Sequence, residues 1–252
     1  MKKGEIVGWI HFILAVILVV PYFLFGFIYN IYILAVSGGS AVRRRQLSFS
    51  FLRPLCRALL FICGIRVTVI GIEKVPKDRA VLFICNHRSM FDAVVAIANY
   101  PQVFSPVSKD SLQKVPVLAW WMKKIDALFL DRDNIEKGVQ MVNDAVALLK
   151  EGQSVLIFPE GTRNKEEGTL LPFKGGSFKI AIKAGAPVVP VTCVNTGEIF
   201  EGHIPQICSR HVILEFSDPI ETKGMSVPER KVLPVRARDE ILKCYEKDAK
   251  LI

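Results

Sequence analysis

The sequence predicts an α/β fold with a mostly parallel or mixed central sheet flanked by helices, preceded by an apolar helical segment at the N-terminus. From residue 65 onward, short runs of β-branched residues alternate with stretches of helical periodicity. The runs 81–85 and 155–158 are apolar throughout, as strands covered on both faces are. The 252 residues fit one larger domain plus a small appendage, or two small domains, and the 51% of hydrophobic residues excludes a disordered chain.

The N-terminal segment is both apolar and basic. Residues 1–66 carry eight Lys and Arg against Glu5 alone, whereas the other 186 residues carry 25 basic and 23 acidic side chains. No charge lies between Glu5 and Arg43, a run that would be about 55 Å long as one helix, against a hydrocarbon core of about 30 Å. The run predicts one tilted span or a kinked helix lying partly in one leaflet. A cleaved signal peptide is the alternative, because 35–37 loosely resembles a cleavage site.

A second segment that favours lipid follows the apolar run. Its polar residues recur at helical spacing on one face, opposite several leucines, and they are Gln46, Ser50, Arg53 and Arg57. Pro54 is expected in the first turn of this helix. Such a helix lies at a membrane interface or packs on the globular domain, and the two readings are compatible. We expect residues 1–64 to form a helical motif that binds an anionic membrane and residues 65–252 to form the α/β domain.

Seven strands and five helices are predicted for the globular domain. The strand candidates are 65–71, 80–85, 103–107, 126–130, 154–158, 187–194 and 210–216, and the helix candidates are 90–98, 111–123, 134–150, 176–184 and 228–250. Asn134 can cap the clearest helix, whose apolar stripe comprises Ile135, Val139, Val142, Val146 and Leu149. Ligands of such sheets bind beyond the carboxyl ends of the strands, so the residues that follow each strand are the candidates for function.

Cysteine and histidine spacing argues against a disulfide framework and a metal site. The six cysteines form no C-x-x-C pair, and their arrangement favours a reducing compartment. The four histidines lack the spacing of a metal-binding motif, so we expect no metal. Basic residues interleaved with long apolar runs favour a membrane as the partner, and we expect no nucleic acid to bind.

His87 and Asp92 follow the predicted strand 80–85. On one continuous helix the two side chains would point in different directions, so they can meet only if His87 lies in the turn and Asp92 in the first turn of the next helix. Ser89 as the N-cap would give that arrangement. In one reading Ser89 and Asp92 form a capping box and His87 is an ordinary turn residue. In the other, Asp92 accepts from one imidazole nitrogen and leaves the second nitrogen basic.

Basic residues follow three further strands. Gly161, Thr162 and Arg163 lie just after strand 154–158, where a glycine, a hydroxyl and a guanidinium can form an anion cradle. Arg132 follows strand 126–130 and Lys109 follows strand 103–107. Each of them alone is more typical of a solvated charge. Their recurrence at strand ends, together with His87, favours a shared anion site.

Five short blocks resemble those of the glycerolipid acyltransferases. The run N-H-R-S-M-F-D at 86–92 matches the family's N-H-x-x-x-x-D block (the HX4D motif), and F-P-E-G-T-R at 158–163 matches its F-P-E-G-T-R block. F-L-D-R at 129–132 resembles the intervening Arg-containing block, F-K-G at 173–175 the F-K-x-G stretch, and V-V-P-V at 188–191 the final V-P-V block. The size and apolar N-terminus are similar to those of the bacterial 1-acyl-sn-glycerol-3-phosphate (lysophosphatidic acid) acyltransferases.

The resemblance implies acyl transfer from a thioester to the sn-2 hydroxyl of 1-acyl-sn-glycerol-3-phosphate, which gives phosphatidic acid. His87 is then the general base, and Asp92 fixes its tautomer and stabilises the imidazolium. The substrate supplies the nucleophile, so no cofactor is required beyond the co-substrate, an acyl carrier protein or coenzyme A thioester. The resemblance also implies a place on the cytoplasmic face of the inner membrane, among lysophosphatidic acid and anionic phospholipids.

The phosphate-binding residues are carried over in the same way. Gly161, Thr162 and Arg163 resemble the family's glycerol-phosphate cradle, and Arg132 and Lys109 could complete its charge. Glu160 would orient Arg163 or accept from the substrate.

Two alternatives stay open. One is an acyltransferase for another glycerolipid acceptor, such as glycerol-3-phosphate or a lysophospholipid. The other is a catalytically inactive protein that binds membrane lipids on the same fold.

Overall fold

A computed structural model describes residues 3–132 and 134–252. Its seven strands form one sheet, and each of them coincides with a predicted strand. The strands are β1 (Arg66–Ile70), β2 (Leu82–Cys85), β3 (Phe104–Lys109), β4 (Leu128–Leu130), β5 (Ser154–Ile157), β6 (Val188–Val194) and β7 (His211–Phe216). Every residue of β2, β5 and β6 is buried, as their apolar composition predicts.

The spatial order of the strands is β1-β7-β6-β2-β5-β3-β4, which places β2 at the centre. β6 and β7 are antiparallel, with Val191 opposite Phe216, and all other neighbours are parallel. The sheet is therefore mixed, and the predicted fold class is confirmed. The carboxyl ends of β2 to β6 share one edge, and the segments that follow these strands lie along it.

Helices cover both faces of the sheet. They are α3 (Phe91–Asn99), α4 (Pro116–Lys124), α5 (Ile135–Lys150), α6 (Gly175–Ala184) and α7 (Val227–Asp248). The single helix predicted over 111–123 is instead a 3-10 turn, Asp110–Lys114, followed by α4, because Pro116 begins a new helix.

The apolar stripe predicted for α5 is only partly correct. Asn134 caps the helix through the backbone N–H of Lys137, as expected. However, Ile135 is 85% exposed and Val139 is exposed as well, while Met141 and Ala145 face the core. The buried side chains of α5 thus lie in its later turns, from Met141 to Leu149.

Two helices precede the sheet, α1 (Lys3–Ser37) and α2 (Ala41–Ile62). Of the residues that the structure describes, one helical stretch, Gly4–Ser37, is long and apolar enough to cross a membrane by length and composition. Its buried positions recur along one face at helical spacing, and they are Gly8, Ala15, Gly26, Ile33 and Ser37. The remaining apolar side chains of α1 are largely exposed.

Helix α2 packs on the globular domain, which is one of the two compatible expectations for this segment. Pro54 lies inside α2 and not in its first turn, because buried neighbours such as Phe51 and Leu55 hold the helix together across the proline. Arg45 is only 3% exposed and pairs with Asp126 at 2.7 Å. Arg44 pairs with the same carboxylate. Part of the basic cluster that ends the apolar run is therefore neutralised by the domain.

Candidate functional site

The turn after β2 is fixed to the neighbouring strand by Asn86. Its side-chain amide donates to the carbonyl of Cys193 (2.8 Å), and its side-chain oxygen accepts from the N–H of the same residue (2.8 Å). Both groups are fully buried, so neither bond competes with water. This paired bond ties the turn to β6 and sets the position of the next residue, His87.

His87 and Asp92 are in contact. Nδ1 of His87 lies 2.7 Å from Oδ2 of Asp92, which also accepts from the backbone N–H groups of Arg88 (2.8 Å) and Ser89 (2.9 Å). The imidazole contact of the second reading is present, whereas the capping box of the first reading is not formed, because the N-cap of the next helix is Met90 and no side chain caps that helix. Helix α3 begins at Phe91 with Met90 as its N-cap, one residue later than predicted, and Ser89 Oγ accepts from the N–H of Phe91.

The imidazole of His87 is held on one face and open on another. The ring of Phe158 stacks against it, with a centroid distance of 4.1 Å and an interplanar angle of 21°. Oδ1 of Asp92 accepts from Thr196 Oγ1 (2.5 Å), so both carboxylate oxygens are fixed. The His87 side chain is 22% exposed, and its Nε2 makes no hydrogen bond to any residue that the structure describes. The second imidazole nitrogen therefore has no protein partner among these residues.

The loop after β5 holds the backbone of His87 from the other side. Glu160 is buried, and its Oε1 accepts from the N–H of His87 (2.7 Å) while Oε2 accepts from the N–H of Leu171 (3.0 Å). The N–H of Asn164 donates to the carbonyl of His87 (2.8 Å). Burial raises the pKa of the Glu160 carboxyl, and the two backbone donors oppose that rise.

Glu160 does not orient Arg163, contrary to one of its two expected roles. Both of its oxygens are occupied by backbone N–H groups. A second carboxylate, Glu201, accepts instead from Arg163 Nη1 at 2.7 Å. The burial and the two backbone bonds of Glu160 also argue against its other expected role, direct contact with the substrate. The geometry favours Glu160 as support for the His87 turn.

Thr162 and Arg163 are exposed at the sheet edge, as an anion cradle requires. Gly161 has a φ of +71°, and a Cβ there would lie 2.8 Å from Nζ of Lys174. Glycine therefore serves the left-handed turn, and the flexible Lys174 side chain lies directly beside it. Lys174 was not among the predicted site residues, although it lies in the F-K-G stretch at 173–175.

Lys109 and Arg132 lie farther along the same edge. Lys109 ends β3 and Arg132 follows β4, two and three strands away from β2. At the usual strand spacing these positions are about 10 and 14 Å from the end of β2. Both side chains are exposed, and within residues 3–132 and 134–252 neither bonds to His87, Asp92 or the 158–163 loop. The structure does not bring these two cations into the cluster around His87.

Besides Lys174, sequence reasoning missed three contributors, Phe158 as a stacking partner, Thr196 and Glu201. Thr196 and Glu201 lie more than 100 residues from the histidine turn and share no local spacing with it. The signal for Thr196 is its place directly after β6, one of the strands that ends at this edge. We find no comparable signal for Glu201.

Comparisons with known proteins identify the family of this chain. A family model described as Acyltransferase matches residues 66–194. The 1-acyl-sn-glycerol-3-phosphate acyltransferase of Borreliella burgdorferi is 31% identical over 201 residues, which are 80% of this chain and 80% of that protein. The chloroplastic 1-acyl-sn-glycerol-3-phosphate acyltransferase BAT2 of Brassica napus is 34% identical over 158 residues, which are 62% of this chain and 45% of that longer protein.

A solved structure shares the whole fold. The crystal structure of the 1-acyl-sn-glycerophosphate (LPA) acyltransferase of Thermotoga maritima matches with a TM-score of 0.84 over 97% of each chain, at 23% sequence identity. The similarity extends over the N-terminal helices as well as the sheet.

Proposed function

Because the chain belongs to the acyltransferase family, we propose that it transfers an acyl group from a thioester to the sn-2 hydroxyl of 1-acyl-sn-glycerol-3-phosphate and forms phosphatidic acid. Two relatives that cover different shares of the chain carry the name of this activity. The observation that carries the proposal is the 2.7 Å contact between His87 Nδ1 and Asp92 Oδ2 at the edge where the F-P-E-G-T-R loop also lies.

The proposed chemistry needs one base and no enzyme nucleophile. Nε2 of His87 removes the proton of the acceptor hydroxyl while the oxygen attacks the thioester carbonyl carbon. The carbon–sulfur bond then breaks, and the imidazolium returns the proton to the leaving thiolate. Asp92 holds the tautomer that exposes Nε2 and stabilises the imidazolium, the role that the carboxylate plays in a serine-protease triad. Neither a metal nor a cofactor takes part in these steps.

The acceptor phosphate is proposed to bind at the exposed end of the 158–163 loop. Arg163 supplies a guanidinium that suits phosphate oxygens, with Thr162 and the backbone of Gly161 beside it. Lys174 Nζ adds a second positive charge over Gly161. Lys109 and Arg132 are proposed to attract anions from farther along the edge, at a distance where screening by salt is appreciable.

The membrane is proposed to be the source of the acceptor. Helix α1 exposes an apolar face along its length, yet its opposite face contacts the protein from Gly8 to Ile33. Such a helix cannot stand across a bilayer unless the domain enters it, so we propose that α1 lies in one leaflet. The donor, an acyl carrier protein or coenzyme A thioester, would then reach the site from the cytoplasm, at the inner face of the inner membrane.

Thiol release by the full-length protein in phospholipid vesicles tests the proposal. The assay combines acyl-coenzyme A or acyl-(acyl carrier protein) with lysophosphatidic acid, glycerol-3-phosphate or a lysophosphatidylcholine in turn. We expect release with lysophosphatidic acid and formation of phosphatidic acid, and we expect His87→Ala to abolish both while unfolding at the same temperature. Faster turnover of another acceptor would replace the proposed substrate, and normal turnover by His87→Ala would exclude the base.

A further inference from the structure

Glu201 connects the two motif loops of the site, and we infer that it is a positioning residue for Arg163. This inference rests on the proposed function, because it concerns how the acceptor phosphate is held. Glu201 lies in the segment 195–210 that joins β6 to β7, and its side chain is 22% exposed. The sequence motifs of the family resemblance do not include it.

The Glu201 carboxylate accepts three hydrogen bonds. Oε2 accepts from Ser89 Oγ at 2.6 Å, and Oε1 accepts from the N–H of Met90 at 2.7 Å and from Arg163 Nη1 at 2.7 Å. Met90 is the N-cap of α3, where the helix dipole also favours a negative charge. One side chain thus joins the first turn of α3 to the guanidinium of Arg163.

This bridge fixes the distance between the imidazole of His87 and the guanidinium of Arg163. Asp92, which holds the imidazole, lies in the same turn as the two groups that bind Glu201. Arg163 is half exposed, so without Glu201 its long side chain would sample many rotamers. A guanidinium has five N–H donors, and the bond through Nη1 leaves donors on Nη2 and Nε for phosphate oxygens. Glu201 therefore orients Arg163 without consuming it.

The segment that carries Glu201 is itself held at both ends. Thr196 donates to Asp92 near its beginning, and farther along the N–H of Ile207 donates to the carbonyl of Gly8 at 3.1 Å in α1. The carbonyl of Ile207 is also 3.0 Å from Nδ1 of His11. The bridge thus rests on the apolar helix, and Arg163 keeps a fixed position relative to the leaflet from which the acceptor would arrive.

Steady-state kinetics of the full-length protein in vesicles test the inference. In Glu201→Ala we expect the KM for lysophosphatidic acid to rise about tenfold, because the phosphate must then order the Arg163 side chain itself, with the KM for the thioester unchanged. Glu201→Gln keeps an acceptor oxygen, so it should recover part of the loss. Glu198→Ala is the matched control, because Glu198 lies on the same segment and pairs only with His203 and Arg210 among the described residues.

A double-mutant cycle with Arg163→Ala decides whether Glu201 acts through Arg163. If it does, Glu201→Ala adds nothing to the acceptor KM once Arg163 is gone. Additive effects, an equal rise in both KM values, or an unchanged acceptor KM would overturn the inference. Failure of the wild-type protein to acylate lysophosphatidic acid would instead overturn the proposed function. A lower unfolding temperature in Glu201→Ala with unchanged KM values would mark a purely structural role.

Discussion

Arg53 donates to the carbonyl of Tyr100 at 2.9 Å, which joins α2 to the carboxyl end of α3. Its Nε also donates to the carbonyl of Ile97, and Arg57 donates to that of Ala98. These carbonyls are the ones that a helix end leaves without partners, and the positive charge there complements the helix dipole. The same helix carries Asp92 in its first turn, so α2 supports the candidate site from the far end of α3.

Arg53→Ala is therefore expected to destabilise the protein. Removing the guanidinium leaves two half-buried carbonyls without a donor, a loss of about 1–3 kcal/mol in the free energy of unfolding. Denaturant titration measures the change. Arg43→Ala is the control, because Arg43 is exposed on the same helix and carries the same charge. Equal stabilities for the two variants would contradict the role of Arg53 at the helix end.

Asp92→Asn is expected to lower kcat about 10²–10⁴-fold, because an amide can present its N–H₂ group to Nδ1 and stabilise the wrong tautomer of His87. The KM values for acceptor and donor should change little, since Asp92 is not expected to touch either substrate. Steady-state rates for the variant, beside those of the exposed Asp218→Asn, measure the effect. A kcat within a few-fold of the wild type would show that the 2.7 Å contact serves only the helix turn.

The end of α7 predicts a pH-dependent stability. Asp248 is fully buried, and burial together with the neighbouring Glu215 raises the pKa of its carboxyl to about 6, although Lys247 opposes the rise. Its usual value is 3.8. The folded state thus binds a proton more tightly than the unfolded chain, so this contribution is present at low pH and is lost as the pH rises toward and through 6.

Asp248→Asn should remove the loss of stability that deprotonation of Asp248 causes. We therefore expect a higher unfolding temperature above pH 6, with little change near pH 4. Thermal unfolding between pH 4 and pH 8 measures it, with the more exposed Asp239→Asn as the control. A variant that is less stable than the wild type at pH 8 would contradict the predicted direction of the shift.

Helix α1 is expected to bind lipid through its exposed face. Replacing Ile17, Leu24 and Ile28 by lysine introduces three charges at positions where each side chain is more than half exposed. The replacements should weaken lipid binding without disturbing the packed face of α1. Sedimentation with anionic vesicles, before and after a salt wash, measures binding. The control places lysines at the exposed Val227, Val232 and Val235 of α7. Equal sedimentation of both variants would exclude α1 as the lipid-binding face.

The centre of the sheet was predictable because its strands are largely apolar runs. The runs that became β2, β5 and β6 have no polar face, and such segments fit only a sheet covered on both sides. His87 and Asp92 were predictable as neighbours because the geometry of a strand followed by a helix brings them together within one short turn. Both observations depend on residues that are close in sequence.

What the sequence did not predict depends on distant or tertiary contacts. Glu201 reaches Ser89 across 112 residues, and no local pattern encodes that contact. Pro54 lies inside α2 because packing outweighs its local preference for a helix start. Ile135 is exposed although it lies on the apolar stripe of α5, because helical periodicity does not show where along the helix the neighbouring elements pack.

The antiparallel pairing of β6 and β7 has a consequence for how this site can change. A parallel neighbour would have required a crossover that carries the chain to the opposite edge of the sheet. Here the polypeptide doubles back, so the connection 195–210 begins and ends at the edge where the histidine turn lies, and it brings Thr196 and Glu201 to that turn. A change in the length of that connection would therefore move Thr196 and Glu201 relative to His87 while the pairing of β6 with β7 stays intact.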